Sequence, residues 1–181
     1  DGTLLNKTEE YDGTNFSNVN TMNTARTNLS GAGSQTTSIA FGGATPPVSN
    51  AAEVYDGTNW TTAANMNTAR NAMGSFGDSN SAVGTGGTTG SNSTATETWD
   101  GTSWTTSPAT LATARAFYGD TGSGSSTAGI VAGGYSTATI GNTEEYNFGT
   151  NTITAAAWSS APSIGTGRYL GGYGITPTNA S

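Results

Sequence analysis

The sequence predicts an all-β protein of about four repeats of about 44 residues, each folding into four short antiparallel strands. Three observations predict it. A block made of Glu, an aromatic residue, Asp-Gly and a second aromatic residue recurs along the 181 residues. Between recurrences lie short runs rich in Thr, Ile and Val, bounded by Gly, Asn and Ser, which is how strands and turns read. No segment has the 3.6-residue apolar period of an amphipathic helix, and the 27 glycines would each penalise one by up to about 1 kcal/mol.

The elements follow in order. The block is Glu9-Glu10-Tyr11-Asp12-Gly13-Thr14-Asn15-Phe16, then Glu53-Val54-Tyr55-Asp56-Gly57-Thr58-Asn59-Trp60, then Glu97-Thr98-Trp99-Asp100-Gly101-Thr102-Ser103-Trp104. A fourth copy drifts as Glu144-Glu145-Tyr146-Asn147-Phe148, and its second aromatic, Trp158, follows a turn seven residues longer. The lead aromatics Tyr11, Tyr55, Trp99 and Tyr146 are therefore spaced 44, 44 and 47 residues apart. Within one unit, residues 38–42, 52–55, 59–64 and 70–76 read as the first to fourth strands. Asp-Gly between the second and third predicts a two-residue hairpin with a type I′ turn. Met22-Asn23-Thr24-Ala25-Arg26 recurs as Met66 to Arg70, Leu111 to Arg115 and Ile164 to Arg168, so all four arginines share one repeat position. Upstream, Ile39-Ala40-Phe41-Gly42-Gly43 recurs as Val83 to Gly87 and Ile130 to Gly134. These paired glycines mark inner strands, where crowding would exclude side chains. The predicted units are a partial one at 1–36, then 37–80, 81–126, and 127–181 with the longer hairpin.

Four antiparallel strands per repeat is the arithmetic of β-propeller blades, and the recurring aromatics are expected to fill the space between neighbouring sheets. The chain is expected to be an incomplete ring of such units or a fragment. Ser181 falls where a further inner strand would begin. Unpaired sheet edges and apolar faces then predict a homo-oligomer, or a place in a larger assembly.

Composition narrows the role. Leu, Ile, Val and Phe together number 21 and charged residues are 9 %, yet the regular spacing of the large side chains argues against disorder. Five Lys and Arg against twelve Asp and Glu leave a net charge of −7, which provides no basic surface for nucleic acid or anionic lipid. Without Cys or His there is no thiolate, no imidazole and no ordinary zinc or copper site. No apolar run is long enough to insert into a membrane, and Asp1-Gly2-Thr3 has neither the basic nor the apolar part of a signal peptide.

Paired Gly, a Tyr-Asp step, a Trp and an Arg ten residues further on resemble the kelch repeat family, and the resemblance covers the whole chain. The wording Glu-x-Tyr-Asp-Gly-Thr-Asn-Trp followed by Met-Asn-Thr-Ala-Arg is similar in style to the Thr- and Asn-rich kelch-like repeats of marine bacteriophage structural proteins. That resemblance implies kelch-like propeller blades, six or seven to a closed ring and so about 264 residues or more, for which 181 is short, and a virion component, a fibre or surface decoration touching host envelope glycans. The alternative is an extracellular adhesin or a structural layer of a cell. A carbohydrate-active enzyme is the least favoured reading, because the acids recur singly rather than as a placed pair.

Each candidate residue has a structural role to weigh against a functional one. Glu9, Glu53, Glu97 and Glu144, with Arg26, Arg70, Arg115 and Arg168, suit repeated ion pairs between strands. The rival is a ring of guanidinium groups that binds a carboxylate. Trp60, Trp104 and Trp158 suit inter-sheet packing rather than a sugar platform. Asp56-Gly57-Thr58-Asn59-Trp60 resembles the sialidase Asp-box with one residue too few, and the Asp-Gly acids have a sufficient role in their hairpins without calcium. Neither metal nor cofactor is expected. The most variable stretches, 44–50, 88–95 and 135–142, are the expected recognition loops, with Asn50, Asn92 and Asn142 as candidate glycan-binding residues.

Overall fold

The computed structural model describes residues 4–120, 125–148 and 157–161, the last five by backbone alone. The protein is all-β: strands provide the regular structure of the described residues, and no helix occurs among them. β1 (Thr8–Tyr11) and β2 (Phe16–Val19) form a two-stranded sheet. β3 (Ser30–Gly33), β4 (Ser38–Phe41), β5 (Ala52–Tyr55) and β6 (Trp60–Ala63) form the second sheet, antiparallel and in chain order. The third is β7 (Gly74–Gly77), β8 (Ala82–Thr85), β9 (Thr96–Trp99) and β10 (Trp104–Ser107). The fourth is β11 (Gly119–Asp120), β12 (Ala128–Ala132), β13 (Thr143–Asn147) and β14 (Ala157–Ala161). No closed ring is formed among the described residues.

The hydrogen-bonded sheets straddle the predicted units. The strand expected at 70–76 is β7, and it pairs with β8 of the next sheet rather than closing the sheet of residues 38–63. The expected boundaries at 36/37, 80/81 and 126/127 consequently fall between two paired strands of one sheet. The physical reason lies in the segments that cross from sheet to sheet. Asn28, Ala72 and Phe117 occupy equivalent positions there with φ of 51°, 52° and 55°, a left-handed conformation that redirects the chain. The Ala72 N–H donates to the Asn28 carbonyl (2.9 Å) and the Phe117 N–H to the Ala72 carbonyl (3.0 Å), so these segments bond to one another.

The paired glycines also have a different reason from the expected one. The neighbouring edge strands of successive sheets are β3, β7 and β11. There Ser30 Oγ donates to the Met73 carbonyl (2.9 Å) and Ser75 Oγ to the Gly31 carbonyl (2.8 Å). The glycine pairs instead follow β4, β8 and β12, where the crossing segment presses on the backbone. The Gly43 N–H donates to the Arg70 carbonyl at 2.9 Å, and a Cβ on Gly42 would stand 2.5 Å from that same oxygen.

The β5–β6 hairpin has a two-residue turn, but not of type I′. Tyr55 pairs with Trp60, the Asp56 N–H donates to the Asn59 carbonyl (3.2 Å), and of the two central residues Gly57 alone has positive φ, 89°. Asp56 Oδ1 accepts the N–H of Thr58 (2.8 Å) and of Asn59 (2.7 Å), and Asp12 and Asp100 repeat the arrangement. The backbone bonds from Asn59 and then Thr58 hold the Asp56 carboxyl below its ordinary value. A depressed folded value means that the stabilisation is present above the unfolded pKa and is lost as pH falls through the folded one. Asp56→Asn, Asp100→Asn and the double variant are therefore expected to lower the melting temperature at pH 6, with the gap to the parent closing below about pH 4. Thermal unfolding followed between pH 2 and 7 checks this; a gap that persists unchanged at pH 2 would assign the effect to something other than the carboxylate charge.

Apolar side chains between successive sheets form the core. Phe41 of β4 meets Trp104 of β10 edge-on, with centroids 4.7 Å apart, inside a cluster that includes Ile39, Met66, Met73 and Trp99. One sheet further on, Phe76 of β7 packs on Tyr146 of β13 at 5.4 Å, beside Val83 and Ala109. Glycine makes room for both rings: a Cβ on Gly84 would lie 2.8 Å from Phe41, and one on Gly129 2.7 Å from Phe76.

Candidate binding surface

Three ion pairs of one design lock each sheet to the next: Arg26–Glu53 (3.0 Å), Arg70–Glu97 (2.9 Å) and Arg115–Glu144 (2.6 Å). The arginine comes from the crossing segment and the glutamate from the third strand of the following sheet. Arg70 Nη1 also donates to the carbonyls of Gly86 (2.8 Å) and Ala95 (2.7 Å), so one guanidinium ties three points of the next sheet together. The other glutamate oxygen accepts a backbone N–H three residues before the arginine position, from Asn23, Asn67 or Ala112, each at 2.7 Å. All three arginine side chains are 0 % exposed. Burial draws the Arg26 pKa down, against the opposing pull of the Glu53 carboxylate. The Nε atoms of Arg26 and Arg70 are buried without a partner. A ring of guanidinium groups open to a carboxylate ligand is not what this geometry presents, because these groups are sealed between sheets. Glu9, the first member of the glutamate series, is exposed instead, and Arg168 lies outside the described residues.

The candidate loop residues have internal partners. Asn50 Nδ2 donates to the Met66 carbonyl (2.9 Å). Asn92 Nδ2 donates to the carbonyls of Tyr135 (2.9 Å) and Ser136 (2.8 Å), bridging one expected recognition loop to the next. The Asn142 side chain is exposed, while its carbonyl accepts Arg115 Nη1 (2.7 Å) and the Gly133 N–H (2.9 Å). Bridges such as Thr88 to Asn92 and Tyr135 to Thr139 close these loops on themselves.

The aromatic residues split into covered and open ones. Trp104 is buried and its Nε1 has no partner, Trp60 is half-buried, and the side chain of Trp158 lies outside the described residues, although its backbone pairs with Tyr146. Between the first and second sheets a cleft of about 260 Å³ is lined by Glu10, Gln35, Ser38, Tyr55 and Trp60 among others. Trp60 Nε1 donates to Thr8 Oγ1 (2.9 Å), and the Tyr55 hydroxyl donates to Glu10 Oε1 (2.6 Å). That carboxylate bond pushes the Tyr55 pKa up to about 12, so the phenol stays protonated and able to donate. A second cleft of about 260 Å³, between the third and fourth sheets, is lined by Ser81, Thr98, Trp99, Ser126, Tyr146 and Phe148. Aromatic faces beside hydroxyl, amide and carboxylate groups can stack on apolar ring faces and bond to hydroxyls. The sequence signal for Glu10 was alternation: consecutive strand residues point to opposite faces, so Glu10 turns toward Tyr55 when Glu9 turns away. Among the described residues no group of three or more His, Cys, Asp or Glu side chains could hold a metal ion. No helix among them is long and apolar enough to cross a membrane.

Fold and site together define an all-β repeat protein whose sheets are clamped by buried Arg–Glu pairs. Its fold is similar to a solved structure titled "Structure of YjhT", with a TM-score of 0.70 at 10 % sequence identity over 88 % of this chain. The chain spans 58 % of the length of that structure. No protein-family model and no curated protein matches the sequence.

Proposed function

We propose that this chain is a non-enzymatic scaffold of kelch-like propeller blades, displayed on a virion or extracellular surface and contacting envelope glycans. The observation that carries the scaffold part is the threefold, fully buried clamp, in which Arg26, Arg70 and Arg115 are consumed in joining sheets. Low charge and the absence of cysteine suit an exposed particle without redox sensitivity. For the glycan part, the clefts beside Trp60 and Trp99 support binding better than Asn50 and Asn92, whose amide donors already have partners. Bacteriophage attachment is the source of such a role implied by the repeat wording, and a cellular adhesin is the alternative.

Titration calorimetry with a panel of soluble bacterial capsular polysaccharides and lipopolysaccharide core oligosaccharides tests the glycan part. Binding by at least one probe is expected, weakened about tenfold by Trp60→Ala or Glu10→Gln, the loss of about 1.4 kcal/mol of stacking or hydrogen bonding. Absence of binding across the panel, or binding indifferent to both variants, would remove these clefts as the glycan site.

A further inference from the structure

We infer that the saccharide bound by this chain carries no carboxylate, sulfate or phosphate, so that acidic glycans are turned away. The inference deepens the glycan part of the proposal above and rests on it. It comes from where the fold puts each charge. Of the five basic residues, Arg26, Arg70 and Arg115 are sealed between sheets with side chains 0 % exposed. Each is bonded to a glutamate and to two carbonyls, those of Gly42 (2.9 Å) and Ala51 (2.7 Å) in the case of Arg26. An acid group on a sugar is held by a cation that can reach it, and these three cannot. Lys7 is exposed with Glu9 and Glu10 close behind it in sequence, and Arg168, outside the described residues, has the repeat position of the sealed three.

The acids are placed the opposite way. Glu53, Glu97 and Glu144 are neutralised by the arginines, which leaves the exposed carboxylates uncompensated. Asp12, Asp56, Asp78 and Asp100 are exposed in the hairpin turns at one end of the sheets. Asp78 Oδ1 accepts the N–H of Asn80 (2.8 Å) and of Ser81 (2.9 Å), as the other three do at the equivalent positions. Backbone donation holds the carboxyls of Asp12, Asp56 and Asp100 below their ordinary value, so these groups are anions at neutral pH. The other end of the sheets is different. Residues 42–51, 86–95 and 133–142 contain no Asp, Glu, Lys or Arg, and the crossing segments 20–29, 64–73 and 107–118 carry only the sealed arginines.

The cleft between the third and fourth sheets lies toward the acidic end. Asp100 stands in its wall beside Ser81, Thr98, Ser126 and the rings of Trp99 and Tyr146, and no cation lines it among the described residues. Residues 121–124 and 149–156, which adjoin it in sequence, contain no charged side chain and so bring no cation to it. An uncharged saccharide can stack on the rings and bond to the hydroxyls there. An acidic saccharide of the same backbone adds a negative charge beside Asp100, in a wall where nothing balances it. Discrimination of this kind comes from repulsion of the wrong ligand as much as from attraction of the right one.

Titration calorimetry of the full chain at about 20 and about 300 mM NaCl tests the inference. The probes are dextran, a galactan, a mannan and every uncharged member of the bacterial panel, each beside its own sulfated derivative. At least one uncharged saccharide is expected to bind at the lower salt, with its sulfated derivative about tenfold weaker or more. The gap is expected to narrow at the higher salt, as the carboxylates are screened. Sulfated derivatives that bind as tightly as their parents, or more tightly, overturn the inference and leave the glycan reading standing. A gap of the same size at both salt concentrations also overturns it, because blocked hydroxyls rather than charge are then the cause. Binding by no saccharide of either kind overturns the glycan reading itself, and the inference falls with it.

Discussion

Arg70→Ala is expected to lower the unfolding free energy by about 3–5 kcal/mol, the scale for removing one partner of a buried pair. The substitution leaves the Glu97 carboxylate, 1 % exposed as a residue, without its cation, and it strips the guanidinium from the carbonyls of Gly86 and Ala95, of which the second keeps the Gly86 N–H. Arg70→Lys is expected to recover little, because one ammonium cannot reproduce the planar fork that reaches three acceptors. Glu97→Gln should be somewhat milder, because Arg70 keeps its bonds to the Gly86 and Ala95 carbonyls, although its buried charge loses the carboxylate and the new amide turns its NH2 toward either the Asn67 N–H or Arg70 Nη2. Equilibrium urea denaturation of the three variants checks the order. An Arg70→Ala loss below about 1 kcal/mol would mean that the guanidinium is solvated in solution and that the clamp does not hold the sheets together.

Phe76→Ala should cost about as much, 3–5 kcal/mol, because a fully buried ring leaves a cavity between the third and fourth sheets. Its environment makes the claim sharper. The ring packs on Gly129, where an added Cβ would lie 2.7 Å from three ring carbons, so Gly129→Ala alone is expected to destabilise by about 1–3 kcal/mol through overpacking. In a Phe76→Ala background the same methyl enters empty space, and its penalty should vanish or become a small gain. A double-mutant cycle by urea denaturation measures that coupling. Strictly additive losses would show that Gly129 is required for a backbone reason and not for the phenyl ring.

Much of the fold was legible because it depends on neighbours in sequence. Alternating Thr-, Val- and Ile-rich runs place β4 to β6 and β8 to β10 within a residue or two of where they occur, since side-chain alternation and turn residues are local properties. The hairpin was legible as a hairpin, while its type was not: Asp56 satisfies two backbone donors with its own carboxylate, which leaves Gly57 alone in the left-handed region. The assignment of the strand near residue 74 failed for another reason. Its composition fits either sheet, and the choice is made by the left-handed turn at Ala72 and by the pairing of Gly74 with Thr85.

The candidate site divides the same way. Equal spacing shows that every arginine and four of the six glutamates belong to a repeated role, yet it leaves open which copy pairs with which. The structure sets Arg26 on Glu53 and not on Glu9, a step of one repeat forward that exposes the first glutamate. Asn92 reads as a free loop amide until the 135–139 loop is brought beside it from 43 residues away. Taken alone, the sequence determined the all-β class, the period, the strand and turn positions and the two families of charged residues, because backbone sterics and alternation act over a few residues. Only the tertiary structure decided the sheet boundaries, the direction of the clamps and the sealing of the arginines. Near-identical repeats offer several partners of equal local quality, and long-range packing selects among them.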